Sequence, residues 1–172
     1  KAIRKGQLLP IIRNRPTAIF VSDYLKTITS SLFFFTKKIT INNFLLKDFI
    51  LKKIDTKKRE PIIVWSVARN KGLNKTINMW IDHVNPEVHT AKLFILGVNK
   101  LPNSLNKNSL KSKNIYFKGR VSRDVLKKIY LKSSAMICLG YDETFCLNAL
   151  EANACGLPVL SFGKTALSKF IT

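Results

Sequence analysis

The sequence predicts an α/β protein built around a doubly wound parallel sheet. From residue 61 onward, short apolar runs of strand length alternate with segments whose apolar residues recur at helical spacing. The first run, Ile62–Val67, is almost continuously apolar, as expected when helices cover both faces of a strand. Because crossovers between parallel strands are nearly always right-handed, this alternation indicates a doubly wound domain. Ligands of such domains bind at the carboxyl ends of the strands.

The elements before residue 61 are predicted to be short. They are a strand, a helix and a second strand: Thr17–Val21, a helix that is capped by Ser22-Asp23 and runs through about Ser30, and Lys38–Ile41. Residues 44–60 are lysine-rich and have the composition of a linker. The predicted organisation is therefore residues 1–60 as the end of one domain with its linker, and residues 61–172 as a second domain.

The elements after residue 61 are predicted to alternate between strand and helix. The predicted strands are Ile62–Val67, Lys92–Leu96, Asn114–Lys118, Ala135–Leu139 and Leu157–Phe162. The predicted helices are Asn74–Val84, a helix of about ten residues capped by Ser122, and Phe145–Cys155. Gly156 stands where a glycine commonly ends a helix, and Pro158 prevents its continuation. The polar residues 98–113 are expected to form a loop or a poorly ordered excursion.

The chain is strongly basic. Its formal net charge is +20, and residues 1–60 carry 14 Lys/Arg against 4 Asp/Glu. Such a surface attracts polyanions such as nucleic acid, anionic lipid or phosphorylated substrates. Lys, Asn and Ile are all abundant, as expected of an AT-rich genome, so the charge alone selects no partner.

The cysteine and histidine pattern predicts no metal site. Cys138, Cys146 and Cys155 lie eight and nine residues apart, which fits neither a zinc knuckle nor a redox Cys-x-x-Cys. His83 and His89 have no neighbouring ligand pattern. We therefore expect a reduced, cytoplasmic protein. No apolar run reaches the ~18 residues of a membrane span, and no signal-peptide pattern opens the chain, which we interpret as an internal fragment.

The most informative segment is an acidic loop and the helix that follows it. If the helix opens near Phe145, the backbone N–H groups of Phe145, Cys146 and Leu147 are the unpaired donors of its first turn, and with the helix dipole they can receive a phosphate. Glu143 lies just before this turn, and Glu151 lies two turns further in. Either carboxylate can accept hydrogen bonds from sugar hydroxyls, although Glu143 also suits the ordinary role of a dipole partner.

Residues 143–160 resemble the Glu-x7-Glu motif of family 4 (group 1) glycosyltransferases, whose pattern runs E-G-F-G-L-x-x-L-E-A-x-A-C-G-x-P-V. The chain keeps the following positions of that pattern: Glu143, Phe145, Leu147, Leu150, Glu151, Ala152, Ala154, Cys155, Gly156, Pro158 and Val159. Thr144 and Cys146 replace the usual glycines, which let backbone approach a diphosphate closely. Four upstream segments also resemble the family, in the correct order: residues 18–26, 38–49, 64–73 and 114–122.

The resemblance implies the GT-B fold, in which the second of two Rossmann-like domains binds the donor. Residues 1–60 would then be the end of the acceptor domain with its linker, and residues 61–172 an incomplete nucleotide-sugar-binding domain. Arg69 and Lys71 would contact the donor diphosphate, with Lys75 as the alternative to Lys71 because the family spaces the pair more widely. Such cations can stabilise a departing phosphate without a metal.

The remaining site residues follow from the same resemblance. Glu151 would hold the ribose hydroxyls, Glu143 would contact the transferred sugar, and the backbone of Gly119, Arg120 and Val121 would meet the base. No cofactor is implied beyond the UDP- or GDP-sugar donor.

The implied function is transfer of a sugar, with retention of configuration, to a glycan or lipid-linked acceptor in surface polysaccharide or lipopolysaccharide synthesis. The basic first third adds a hypothesis of peripheral docking on the anionic inner face of the plasma membrane. Three alternatives remain open. A nucleic-acid-binding α/β module would explain the charge, but no helix-turn-helix or aromatic RNA platform is present. A P-loop hydrolase is disfavoured because Pro158 occupies the position of a required glycine. A nucleotide-sugar-binding domain without catalysis is the third.

Overall fold

In the computed structural model of the chain, the described residues are 17–30, 35–45, 47–51, 54–55, 58–66, 71–100, 110–140, 144–161 and 166–169. Their strands are β1 (Ala18–Phe20), β2 (Lys38–Thr40), β3 (Ile62–Ser66), β4 (Lys92–Leu96), β5 (Ile115–Gly119), β6 (Ala135–Cys138) and β7 (Val159–Ser161). Their helices are α1 (Asp23–Ser30), α2 (Leu73–Met79, continued by a π-helical turn over Trp80–Val84), α3 (Arg123–Lys132) and α4 (Leu147–Ala154), with 3-10 turns at Lys47–Phe49 and Ala166–Lys169.

The main sheet has five parallel strands in the order β5-β4-β3-β6-β7. Within this sheet, β3 is the first strand in the sequence. β4 and β5 are added on one side of it, and β6 and β7 are then added on the other side. The strand order therefore reverses between β3 and β6, and a crevice for ligands is expected above their carboxyl ends. This topology confirms the predicted doubly wound parallel α/β sheet.

Two hydrophobic clusters lie on opposite faces of this sheet. Val64 of β3 packs with Tyr130 of α3 and Ala152 of α4, and all three side chains are fully buried. The next residue, Trp65, packs on the other face with Leu73 and Trp80 of α2 and its continuation. Because successive side chains of a strand point to opposite faces, a strand covered on both sides needs an unbroken apolar sequence.

Two predicted helix N-caps are confirmed, whereas several element ends differ from prediction by one or two residues. Ser22 Oγ accepts the Leu25 amide at 3.1 Å, and Ser122 Oγ accepts the Val125 amide at 3.4 Å. β5 begins one residue later than predicted because Asn114 adopts φ +56°, outside the strand region.

Several described residues of the segment predicted to be a linker contact the main sheet unit. Phe49 is fully buried in the cluster that contains Tyr130, and their ring centroids are 6.5 Å apart. Lys127 Nζ of α3 donates to the Asp48 carbonyl. The Arg59 guanidinium donates to carbonyls near the ends of α3 and α4. The described part of residues 47–60 is thus anchored, and the proposed boundary at residue 60 stays a prediction.

The two strands near the N-terminus form a separate parallel pair, β1–β2. Thr40 Oγ1 donates to Asp23 Oδ1 at 2.7 Å, which ties β2 to the first residue of α1. The predicted strand, helix and strand are therefore present, each within two residues of its expected ends.

Candidate functional site

The crevice at the strand-order reversal is bordered by the loops that follow β3 and β6. Two of the predicted catalytic residues, Arg69 and Glu143, follow these strands in the sequence but lie outside the described residues. Their roles therefore stay predictions. The third, Lys71, is described and directly precedes the glycine before α2.

The two loops approach each other closely through glycines. Gly72 has φ +72°, and a Cβ added to it would lie 2.8 Å from the carbonyl carbon and oxygen of Leu139. Glycine suits this position because it adopts a positive φ readily and brings no side chain. A Cβ on Gly140 would lie 3.5 Å from the Cβ of Lys71. The close approach places Lys71 beside the loop that leads into α4.

The helix predicted to open at Phe145 begins instead at Leu147. Cys146 is its N-cap and adopts φ +48°, a left-handed conformation that is incompatible with the interior of a right-handed helix. The Cys146 carbonyl accepts the amides of Ala149 at 3.1 Å and Leu150 at 3.4 Å. The prediction that the helix opens at Phe145 is therefore wrong, and its first turn starts with the amide of Leu147. The donor-binding roles of Phe145 and Cys146 stay predictions.

Asn148 ties the first turn of α4 to the end of β3. Its side-chain Nδ2 donates to the Ser66 carbonyl oxygen at 2.8 Å and to Ser66 Oγ at 3.1 Å. Ser66 is the last residue of β3 and is 2% exposed. Sequence reasoning missed this pair. The available signal was a serine in an otherwise apolar strand and an asparagine, a weak helix former, in a largely apolar helix.

A cavity of about 210 Å³ opens at the carboxyl ends of β3, β4 and β5. Its lining residues are Ser66, Leu96, Gly97, Arg120, Val121, Leu126 and Asn148. Two residues of the predicted base-contacting segment, Arg120 and Val121, thus share one cavity with Asn148. Gly119 precedes them with φ +68°, and its carbonyl accepts the Gly97 amide at 2.9 Å. Aliphatic walls with a few polar groups are typical of sites that bind a heterocycle.

Glu151 lies one turn beyond Asn148 in α4 and is partly buried. Burial raises the pKa of its carboxyl above the usual value, and the nearby Arg123 guanidinium opposes that shift. Burial likewise raises the pKa of the Tyr130 phenol, with a smaller opposing effect of Ser66 and a smaller raising effect of Glu151. Among the described residues, no hydrogen bond of good geometry satisfies the Tyr130 hydroxyl. Among Glu151, Tyr130 and Ser66, it is Ser66 that lines the cavity.

The part of the chain that the structure describes contains neither a candidate metal site nor a candidate membrane-spanning helix. No group of three or more His, Cys, Asp or Glu side chains could hold a metal ion. Within those same residues, no helix has the length and apolar character needed to cross a membrane.

A Rossmann-like α/β domain is defined by this sheet order, by the helices on both faces and by the cavity at the carboxyl ends of β3, β4 and β5. The chain belongs to the family described as "Glycosyl transferases group 1", which matches residues 47–171. No curated protein matches the chain by sequence.

Solved structures of glycosyltransferases share this fold. A TarM mutant from S. aureus, in complex with Fondaparinux, alpha-GlcNAc-glycerol and UDP, is 18% identical with a TM-score of 0.71, covering 90% of this chain and 31% of that one. Sucrose-phosphate synthase from Thermosynechococcus elongatus is 16% identical with a TM-score of 0.70, covering 91% and 43%. WaaG, a glycosyltransferase involved in lipopolysaccharide biosynthesis, is 15% identical with a TM-score of 0.70, covering 89% and 46%.

These likenesses confirm the predicted fold, a Rossmann-like part of the GT-B architecture. The chain spans less than half the length of each of these three proteins.

Proposed function

We propose that the chain provides the donor-binding half of a retaining glycosyltransferase, which transfers a sugar from a UDP- or GDP-sugar to a glycan or lipid-linked acceptor. Family membership over residues 47–171 supports this proposal. The observation that carries it is the convergence of three features at one sheet edge: the Lys71 loop, the first turn of α4 and the cavity of about 210 Å³. Together they suit a ligand that combines a diphosphate with a heterocycle.

The diphosphate is proposed to bind between Lys71 and the start of α4. The first-turn amides and the positive end of the helix dipole favour an anion there. Lys71 adds a positive charge from the neighbouring loop, and Arg69 adds a second in the role that the family resemblance implies. Cations placed where negative charge develops on the leaving nucleotide stabilise the transition state for transfer. This proposal requires no metal ion and no further cofactor.

The base is proposed to occupy the cavity, against the backbone of residues 119–121. The side-chain NH₂ group of Asn148 donates to Ser66, and Asn148 lines the cavity, so its Oδ1 atom is proposed as the hydrogen-bond acceptor for the base. Such an acceptor favours a base edge that carries an N–H group. Glu151 is proposed to hold the ribose hydroxyls, and Glu143 the transferred sugar.

The proposed chemistry needs no enzymic nucleophile. The bond between the sugar C1 and the diphosphate oxygen breaks, and the acceptor oxygen bonds to C1 on the same face. The leaving phosphate takes the proton of the acceptor hydroxyl. The two glutamates are not interpreted as a glycosidase pair, because such carboxyl groups must face each other across the scissile bond.

The proposed setting is surface polysaccharide or lipopolysaccharide synthesis in the cytoplasm, at the inner face of the plasma membrane. Phe44 and Ile50 are 81% and 66% exposed, and the exposed cation Lys47 lies between them in the sequence. Exposed apolar side chains beside cations suit peripheral contact with anionic lipid. We expect co-sedimentation with phosphatidylglycerol vesicles at low salt and a loss of it in Phe44→Ser. Equal recovery with neutral phosphatidylcholine vesicles would exclude this docking.

Nucleotide binding tests the proposed function directly. UDP, GDP, ADP and their sugars are compared in a thermal-shift assay, with a random oligonucleotide as the polyanion control. A diphosphate at 100 times its Kd stabilises by about 2.7 kcal/mol, which raises the Tm of a domain of this size by roughly 5–10 °C. Stabilisation by the oligonucleotide alone would favour the nucleic-acid-binding alternative.

A matched pair of variants locates the site. Lys71→Ala should weaken diphosphate binding about tenfold or more, the loss expected for one charge-assisted contact. Lys92→Ala removes the same charge from the opposite edge of the sheet, at the first residue of β4, and should bind as the wild type does. Equal weakening by both variants would indicate a general effect of net charge and would refute the site. Nucleotide binding without sugar transfer to any acceptor would favour the non-catalytic alternative.

A further inference from the structure

Two cysteines that flank the acidic loop bring their thiols together at the start of α4. Cys138 is the last residue of β6, and Cys146 is the N-cap of α4. Their sulfur atoms are 3.6 Å apart, and both side chains are thiols that are not joined in a disulfide. The sequence interval of eight residues had suggested no redox motif, because it differs from Cys-x-x-Cys. The contact arises because the N-cap of α4 lies beside the last residue of β6.

Cys146 occupies a backbone conformation that does not favour cysteine. A left-handed φ costs a residue with a side chain about 1–2 kcal/mol relative to its right-handed alternative, and Cys146 has φ +48°. Only one other described non-glycine residue has a positive φ, and it is Asn114, a residue type that tolerates this conformation. The backbone of Cys146 is thus strained, and its thiol contacts the thiol of Cys138.

The two thiols differ in access to solvent. Cys138 is 1% exposed, whereas Cys146 is partly exposed. A small oxidant therefore reaches the Cys146 thiol first. The Cys138 thiol is buried and is in contact with the Cys146 sulfur. An accessible cysteine beside a second, resolving cysteine is the arrangement of reversible redox sites.

We propose that Cys138 and Cys146 are a site of reversible oxidation, which a peroxide converts to an intramolecular disulfide that weakens nucleotide binding at α4. The Cys146 sulfur attacks one peroxide oxygen, the O–O bond breaks, and a sulfenic acid and one water form. The Cys138 sulfur then attacks the Cys146 sulfur, the S–S bond forms, and the S–O bond breaks to release a second water with the Cys138 proton. Two thiols are oxidised by two electrons in total, and one peroxide is reduced to two waters. A dithiol reductant reverses the reaction.

The disulfide would act on the first turn of α4 through Cys146. The sulfurs must move from 3.6 Å to about 2.0 Å, which draws Cys146 toward the end of β6. The Cys146 carbonyl accepts the amides of Ala149 and Leu150, so the first turn moves with it. This part of the inference rests on the proposed function. Loss of one hydrogen bond from a first-turn amide to a charged phosphate weakens binding about tenfold.

Peptide mapping tests the disulfide independently of nucleotide binding. The chain is treated with hydrogen peroxide, alkylated, and digested with a protease that cleaves after glutamate. Glu143 separates Cys138 from Cys146, and Glu151 separates Cys146 from Cys155, so every disulfide pairing gives a distinct product. Cys155→Ser is the matched control, because Cys155 is fully buried and burial raises the pKa of its thiol.

We expect a Cys138–Cys146 link in the wild type and in Cys155→Ser, and its loss on reduction. The link should be absent from Cys138→Ser and from Cys146→Gly, a change that keeps the left-handed backbone accessible. Free Cys138 and Cys146 after peroxide treatment, or a random mixture of pairings in the folded chain, would overturn the inference.

Nucleotide affinity decides the second half of the inference. UDP, GDP and ADP are titrated separately into the oxidised and reduced chain, with Cys146→Gly treated in parallel as a control for other peroxide damage. A tenfold weaker Kd confined to the oxidised wild type supports the coupling, and an unchanged Kd overturns it. If none of the three binds the reduced chain, the proposed function fails, whereas the mapped disulfide still decides the redox site.

Discussion

Arg59 offers a sharp test of how the segment before β3 stabilises the helices that carry the site. Its guanidinium donates to the carbonyl oxygens of Tyr130 at 3.2 Å, Ser133 at 2.5 Å and Cys155 at 2.9 Å. These carbonyls lie at the C-terminal ends of α3 and α4, where unpaired acceptors and the negative end of the helix dipole favour a cation. Arg59→Ala leaves all three acceptors without this partner and is expected to destabilise the fold.

The magnitude follows from the number and the environment of these bonds. A hydrogen bond to a charged group contributes about 1.5–3 kcal/mol. The three bonds share one partly exposed side chain, so their losses do not add, and about 3 kcal/mol in total is expected. In a domain of this size, that change lowers the Tm by roughly 6–12 °C. Arg59→Lys should fall between Ala and wild type, because a point-like ammonium cannot reproduce a planar fork.

Thermal and urea unfolding, followed by circular dichroism, measure the effect of Arg59→Ala. Lys58→Ala is the matched control, since it removes the same charge from an exposed neighbour. It should change the Tm by about 2 °C or less, as expected for a surface substitution. Equal shifts for the two variants would show that net charge, and not the three carbonyl contacts, determines the stability, and would refute the reasoning.

Three further changes test the elements around the crevice. Asn148→Ala, which leaves Ser66 without its amide partner, should cost about 1–3 kcal/mol in urea unfolding and weaken nucleotide binding; an unchanged unfolding midpoint would contradict this. Gly72→Ala should cost about 2–4 kcal/mol by the same measurement, because its Cβ would meet Leu139 backbone at 2.8 Å in a left-handed conformation; a neutral effect would be incompatible with that contact. Burial raises the pKa of Glu151, so the folded state binds its proton more tightly than the unfolded state, and the resulting stability is lost as the pH rises through the folded pKa. Glu151→Gln should therefore be more stable than wild type at pH 7 but not near pH 4, and an advantage constant with pH would contradict that sign.

The alternating strands and helices of the fold are predictable from the sequence, because burial of a strand on both faces requires a local run of apolar residues. The apolar strands β3 and β4 lie within the predicted ranges, and Ser22 and Ser122 cap the helices expected of them. A residue pattern over one or two turns encodes these features. Propensity and periodicity therefore locate the elements, although their ends shift by one or two residues.

Contacts between residues that are far apart in the sequence produce no local residue pattern from which they could be predicted. Residues 44–60 suggested a linker because their local composition is lysine-rich, yet the acceptors of Arg59 are 71, 74 and 96 residues further along the chain. Asn148 and Ser66 are 82 residues apart. Each pair exists only because the sheet order places β3 beside β6, and strand order is a property of the whole chain.

Cys146 shows where a family resemblance helps and where it stops. The family's usual glycine at this position suggested a close approach of backbone to a diphosphate, and the structure adds that Cys146 has φ +48°, a conformation that glycine adopts readily. The sequence pattern placed the helix start two residues too early, because a pattern of residue types does not encode the sign of a dihedral angle. The departure from glycine also created the contact with Cys138 at 3.6 Å. A substitution that looks like a defect in a motif is thus the residue from which a new chemical property of the site follows.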